Sequence, residues 1–458
     1  MQVSGPRHLS MEQHSRDGSS VGQREDVGRL LGLGAWGLRA LGIWAGPEPA
    51  TTRWGRAGPT LLLTALFAAS ATAQLGRERL DDLEHLGEQI FVSTTLTVTS
   101  MRIMYFMAYR LRMQRLANLL LEARRRFPEQ GAAIRKRFQR RATRMCIGFQ
   151  MTATVPLAMW VLNPVLAAAM TSPPPRGLNA SASASAAAAV RQTPLSLWLP
   201  VDDQRSPGYE LVFALEGFLI VFTGMASLFL DMFFIVHIIH ITAELNVLND
   251  NLAAIRVGAV RGGSSSISNT GSMRRSFNRP DKFAKLNTST SVISRIDSDE
   301  YSHLVEAIRH HQTVMRYVQE LENAMSQPLY ILLSTNMVNM CLHMFTFMTL
   351  LQRNIEPASM MKFMFTFPAY LYQTGTYCIF GQAIIDQSER LVSSAGSCGW
   401  PECAPDFRRM LLVLMEQASR PLCIRVGKLV TLSRNTFLQL LKDTYTMFNM
   451  LFQLQGDK

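Results

Sequence analysis

The 458-residue chain is 48% hydrophobic, yet its mean hydropathy is only +0.07, which excludes a bare bundle of membrane spans. Its net charge of +12 comes with no nucleic-acid-binding motif and suits anionic lipid headgroups instead. The cysteines Cys146, Cys341, Cys378, Cys398, Cys403 and Cys423 all fall in spans or cytoplasmic segments of the topology below, so no disulfide framework is expected.

In chain order, residues 1–28 are rich in Gly, Ser, Gln and charge and read as a disordered cytoplasmic tail. No cleavable signal peptide is expected, because the first long apolar run begins only after Pro59. Leu30 to Trp44 mixes Leu, Trp and Gly with Arg, the composition of an interfacial helix. Apolar runs long enough to cross a bilayer follow at 58–75, 86–109, 145–170, 209–230, 325–351, 360–385 and 432–454. The predicted fold class is an all-α membrane protein with seven transmembrane helices.

Lys and Arg orient these spans. With the N-terminus inside, the cytoplasmic pieces hold 35 of the 46 basic residues and the outside pieces hold seven. Arg102, Lys362, Arg434 and Lys442 lie within spans. Short loops carry the rule, and the short 110–144 connection contains 12 of the basic residues, among them Arg124, Arg125, Arg126 and Arg135. The expected topology is therefore N-terminus cytoplasmic and C-terminus extracellular.

The domains expected are a tail and interfacial helix (1–56), spans one to four (57–260), a Ser-rich cytoplasmic linker (261–298), and spans five to seven (299–458). The 171–208 loop is Pro- and Ala-rich, low in complexity, and carries an outside glycosylation sequon at Asn179. Span four should run past Asp231 to about Arg256, and spans five and six should extend likewise. Arg274, Arg275 and Ser276 form a candidate phosphorylation site in the linker, although an unmodified solvated linker is the expected reading. Residues 405–424 are too short and charged to span, and read as a buried cytoplasmic helix before the last span at 432–454.

Within that last span, Thr436, Gln439, Asp443, Thr446, Met450 and Gln453 recur at steps of three and four, on one helical face. A polar stripe with an ionisable Asp is costly against lipid, so it lines an aqueous ion path or hydrogen-bonds a neighbouring helix. Met450 has the character of a dewetting constriction or of ordinary packing. In the outer halves of the other spans, Phe91, Met159, Trp160, Phe213, Phe363, Phe367 and Tyr370 suit a small, mostly apolar ligand, with helix packing as the alternative role. Glu216 and His343 are intramembrane ionisable groups for which a buried hydrogen-bonded role is expected. No phosphate loop, zinc spacing or nucleophile elbow is present, so neither enzyme activity nor a metal or cofactor is expected.

His311-Gln312 followed by Tyr317 to Glu322; Trp400, Phe407 to Arg409, Arg420-Pro421 and Gly427-Lys428; Thr436-Phe437, Leu441-Lys442, Tyr445 and Phe448; and, more diffusely, Leu41 to Trp44 together resemble the insect odorant receptor family. The resemblance implies a ligand-tuning subunit of an odorant-gated, non-selective cation channel in the plasma membrane of sensory neuron dendrites. Its partners would be a small volatile organic ligand, the bilayer and shared co-receptor subunits in a heterotetramer, with no nucleic acid. Laid on the co-receptor's C-terminal pattern, the gate falls at Met450 and a pore glutamine at Gln453. A G-protein-coupled receptor would need the opposite orientation. A gustatory receptor of the sister family remains open, although the His311 to Glu322 stretch favours the odorant branch. A transporter lacks its inverted pair of broken helices.

Overall fold

The computed structural model describes residues 28–44, 50–77, 83–126, 131–171, 193–195, 197–198, 205–255, 282–352 and 357–456. The expected N-terminal tail, the sequon at Asn179 and the Arg274 to Ser276 site lie outside them. The chain is built from long helices: α1 (28–40), α2 (Ala50–Leu75), α3 (Leu83–Ala108), α4 (Arg110–Arg126) and α5 (Ala132–Thr171). They are followed by α6 (Gly208–Ala254), α7 (Lys282–Gln352), α8 (Pro357–Gly396), α9 (Pro405–Ala418) and α10 (Arg434–Gly456). Among the described residues the regular structure is helical apart from a two-stranded hairpin, β1 (Arg425–Val426) and β2 (Val430–Thr431).

Among the described residues, five helices (α2, α3, α5, α6 and α7) are long and apolar enough to cross a membrane, whereas α8 and α10 do not reach the same apolarity. Prolines inside α5, α7 and α8 are accommodated because neighbouring helices and hydroxyl side chains can satisfy the freed carbonyls.

Helix α6 is the central element. From Leu228 to Leu245 it is buried on every side, as expected of a helix that is hydrophobic all round. It packs against α3, α5, α7 and α8. Helix α1 lies so close to α6 that a Cβ on Gly37 would fall 2.3 Å from the Phe229 ring, so only glycine fits there. Beyond Leu248, the extensions of α6, α7 and α8 enclose a second core with α9, built on Leu252, Leu304, Leu391, Phe407, Leu411 and Leu414.

Between the two cores, several side chains converge on Glu244 of α6, which is fully buried. Arg135 of α5 grips its carboxylate in bidentate fashion, at 3.0 and 2.7 Å, and His310 of α7 lies 3.2 Å from it. Arg124 of α4 stands further off, 4.0 Å from Glu244 and 3.1 Å from the His240 Nδ1. Burial pulls the Arg124 guanidinium below its ordinary range; Glu244 opposes that shift and Arg135 adds to it. Arg124 and Arg135, read from sequence as orienting charges alone, thus also tie α4 and α5 to α6. About two turns along α6 from Glu244, the hydroxyl of the buried Tyr317 lies 2.6 Å from His237.

Helices α2 and α5 begin earlier than the expected spans, at Ala50 and Ala132, and three boundaries in the C-terminal half differ as well. Helix α7 starts at Lys282, inside the stretch expected as linker, because no Pro or Gly follows Pro280 to stop it growing backwards. The helix expected over 405–424 ends at Ala418, since Pro421 disfavours helical backbone at the residue before it. The chain just beyond, from Arg425 to Thr431, forms the hairpin, whose turn residues Gly427 and Lys428 both have positive φ, at 61° and 62°. A Cβ on Gly427 would sit 2.6 Å from the Tyr330 ring, so the hairpin is seated directly on α7 and delays the start of α10 to Arg434.

Replacing Glu244 by Ala strands Arg135 in a buried site, which should destabilise the chain by about 3–5 kcal/mol. The measurement is the melting temperature of the detergent-purified protein; an unchanged value would show that the cluster does not hold α5 and α7 to α6.

Candidate functional site

Helices α3, α5, α6, α7 and α8 enclose a cavity of about 200 Å³. A dry apolar void of roughly 150 Å³ is enough to accept benzene, so this one has room for a small volatile molecule. Each helix contributes one face. On α5 the lining residues are Phe149, Thr152, Ala153, Pro156, Leu157 and Trp160, and on α8 they are Thr366, Ala369, Tyr370, Tyr372 and Gln373. On α5 these are positions i, i+3, i+4, i+7, i+8 and i+11, the pattern of one side of a helix.

That phase sorts the residues expected from sequence. Phe91, Trp160 and Tyr370 line the cavity together. Met159, Phe213 and Phe367 are not among its lining residues. Met159 and Phe367 each lie one position from a lining residue, about 100° round the helix. Phe213 shares the phase of Ile220 but lies two turns further out, where it packs on Tyr209 at 6.0 Å.

The outer wall is aromatic. Phe91 sits 5.2 Å from Trp160, 6.0 Å from Tyr370 and 4.4 Å from the His343 ring, the last two edge-to-face. The Trp160 indole donates to Thr366 Oγ1 at 3.0 Å. Lys362 bridges to Glu88 at 2.6 Å and holds its ammonium 5.1 Å above both Trp160 and Phe363. Phe363 therefore stands behind the wall, against Trp160 and His343. Both ionisable groups flagged in the spans are hydrogen-bonded. His343 Nδ1 lies 2.8 Å from the Asn339 carbonyl, and Glu216 accepts the Leu195 N–H.

The inner end of the cavity is polar and was not foreseen. Ser227, Asn336 and Gln373 line it. Asn336 donates to Gln373 Oε1 at 3.0 Å, and Gln373 donates to Asp231 Oδ2 at 2.6 Å. Asp231, completely buried, pairs with Arg102 of α3 and accepts from Tyr377 at 2.8 Å. Arg102 donates also to Ser227, at 3.0 Å. The cavity floor is thus hydrogen-bonded directly to a buried ion pair spanning α3, α6 and α8. Arg102 was conspicuous in sequence as a charge inside a span, but its partner follows only from packing.

Helix α10 rests on α7 and α8 by one face: Phe448 packs with Cys341 and Phe345, and Phe437 faces Gly375. The polar stripe lies elsewhere. Gln439, Thr446, Met450 and Gln453 are exposed and Asp443 is half-buried. Along this face Gln439 donates to Asp443 at 2.8 Å and Thr446 to the Lys442 carbonyl at 2.9 Å, both bonds running within α10 itself. Thr436, at the start of the stripe, donates its hydroxyl to the Thr431 carbonyl and its backbone N–H to the Ser433 hydroxyl, which caps the helix.

Comparison with known proteins gives a consistent picture. The family model described as "7tm Odorant receptor" matches residues 82–445. Odorant receptor 2a of Drosophila melanogaster is 28% identical over 153 residues, which is 33% of this chain and 38% of that protein. The odorant receptor coreceptor of Aedes aegypti is 28% identical over 85 residues, 19% of this chain and 18% of the coreceptor. The alignments therefore span well under half of either relative. In fold, the chain is similar to the insect olfactory receptor OR5 from Machilis hrabei, solved in complex with eugenol, with a TM-score of 0.70 at 14% identity over 95% of this chain and 99% of that one.

Replacing Asp231 by Leu leaves the Arg102 guanidinium buried without its carboxylate and should abolish surface expression. The double variant Arg102→Met with Asp231→Leu should recover most of it, because an apolar pair can replace a buried ion pair at little cost. Surface labelling of tagged chains reads the result, and a double variant as poor as the single one would refute the pairing argument.

Proposed function

The chain belongs to the 7tm odorant receptor family, and on that footing we propose that it is a ligand-tuning receptor subunit whose cavity binds a small volatile molecule and thereby opens a non-selective cation channel shared with co-receptor subunits. The observation that carries this reading is that α7 and α8, which line the cavity, are also the helices on which α10 rests. Gln373 forms part of the cavity floor, and Gly375, two residues on, meets the Phe437 ring of α10. Asn339 lines the cavity, and Cys341 packs on Phe448. A ligand that fits better when α7 and α8 part shifts the equilibrium toward that arrangement by its differential affinity, and α10 moves with them.

In this reading α2, α3, α5, α6, α7, α8 and α10 cross the plasma membrane of the sensory neuron dendrite, with the N-terminus cytoplasmic and the C-terminus outside. The arginine-rich 110–144 segment supports that orientation. The stripe Thr436, Gln439, Asp443, Thr446, Met450 and Gln453 faces a shared pore in a heterotetramer, with Met450 as the hydrophobic gate and Gln453 beyond it. Its exposure in the single chain is what a surface completed by partner subunits would show. Phe91, Trp160 and Tyr370 contact the ligand, and Asn179 carries a glycan on the outer side.

Two measurements test the proposal. Co-expressed with a co-receptor, the chain should pass cation current when a volatile panel that includes eugenol is applied; silence across the panel despite surface expression would overturn the channel reading. Asp443→Asn should alter relative cation permeability, and unchanged permeability would remove that face from the pore.

A further inference from the structure

Between α5 and α6 the chain returns to the bundle, and one residue of that connection, Leu195, forms part of the cavity wall. It is 6% exposed and packs in one cluster with Phe91, Trp160, Leu219 and Ile220. It is fastened on both sides. Its backbone N–H donates to Glu216 Oε2 of α6 at 2.8 Å, and the Thr193 hydroxyl donates to its carbonyl at 2.8 Å. Three residues on, the Trp198 carbonyl accepts from Ser70 of α2 at 2.6 Å, and the Arg77 guanidinium covers the Trp198 ring at 4.6 Å.

We infer that Leu195 is a ligand-contact residue that sets how long a molecule the cavity accepts, and that Glu216 is the positioning residue that holds it there. This rests on the reading of the cavity as the ligand site. A carboxylate buried to 1% in the apolar length of α6 is costly, and a backbone donor from outside the helix bundle is a partner that helps offset that cost. The placement also explains why Phe213 is absent from the wall. It has the phase of Ile220, but Glu216 and the strap it holds lie between them along α6, so Leu195 closes the outer end instead. Because the strap comes from a connection rather than a helix, its side chain can change without disturbing interhelical packing. That makes Leu195 a position where ligand size is tuned independently of the bundle.

The test uses the purified full-length chain and a ladder of ethyl esters from acetate to octanoate, read as the rise in melting temperature with each ester. Leu195→Ala removes three carbons from the wall and should move the best-stabilising ester toward longer chains by about two carbons. Leu195→Val, which perturbs folding less, should move it by about one. Glu216→Ala should move it in the same direction as Leu195→Ala, whereas Glu216→Gln, whose amide oxygen still accepts the N–H, should keep the wild-type optimum. A merely structural Glu216 would lower the melting temperature in every condition and leave the optimum unmoved. Trp160→Ala serves as the cavity control. A shifted optimum in Trp160→Ala with unshifted optima in both Leu195 variants and Glu216→Ala would overturn this inference and leave the cavity reading standing. Absence of stabilisation by any ester, in the wild type and in every variant, would overturn the cavity reading and this inference with it.

Discussion

A guanidinium and a carboxylate buried side by side, Arg102 and Asp231, set the arrangement of this bundle. Neither charge can be left alone at that depth, where an unpaired ion costs several kcal/mol. Each is therefore surrounded by donors and acceptors: Ser227 on the arginine side, and Tyr377 and Gln373 on the carboxylate side. Satisfying all of them at once fixes the rotation of α3, α6 and α8 about their axes. Those rotations in turn decide which side chains face the cavity.

The constraint matters most for α6. A helix that is apolar on every face has no amphipathic reason to present one side rather than another. Asp231 and Glu244 supply that reason at two levels, the first looking to α3 and α8, the second to α5 and α7. Between them the packing is nonspecific in chemistry but closely fitted, with Phe106, Phe233 and Trp44 in tilted and edge-to-face contact. Polar anchors provide register, and apolar area provides most of the cohesion.

Helix α10 is held differently. Its contacts with α7 and α8 come from one face, while Leu438, Tyr445, Met450 and Leu454 remain exposed alongside the polar stripe. A helix so incompletely covered within its own chain belongs to a surface that other molecules or lipid must finish. The similarity of fold to a receptor only 14% identical makes the same point at larger scale. A fold can be shared with few identical residues, because many apolar side chains fill a helix interface equally well.

Read by itself, the sequence determined the long helices, the extension of α6 beyond Asp231, the cluster of helical extensions with α9, and three aromatic wall residues, Phe91, Trp160 and Tyr370. Apolar run length and helix breakers are local properties, so they are legible without neighbours. Tertiary structure decided the rest: that Met159, Phe213 and Phe367 do not join the wall, that Arg102 meets Asp231, that Arg135 meets Glu244, and that Leu195 returns from a low-complexity connection to close the cavity. These depend on how each helix is turned and on where distant segments meet. Periodicity gives the face of a helix, but only its partners determine where that face points.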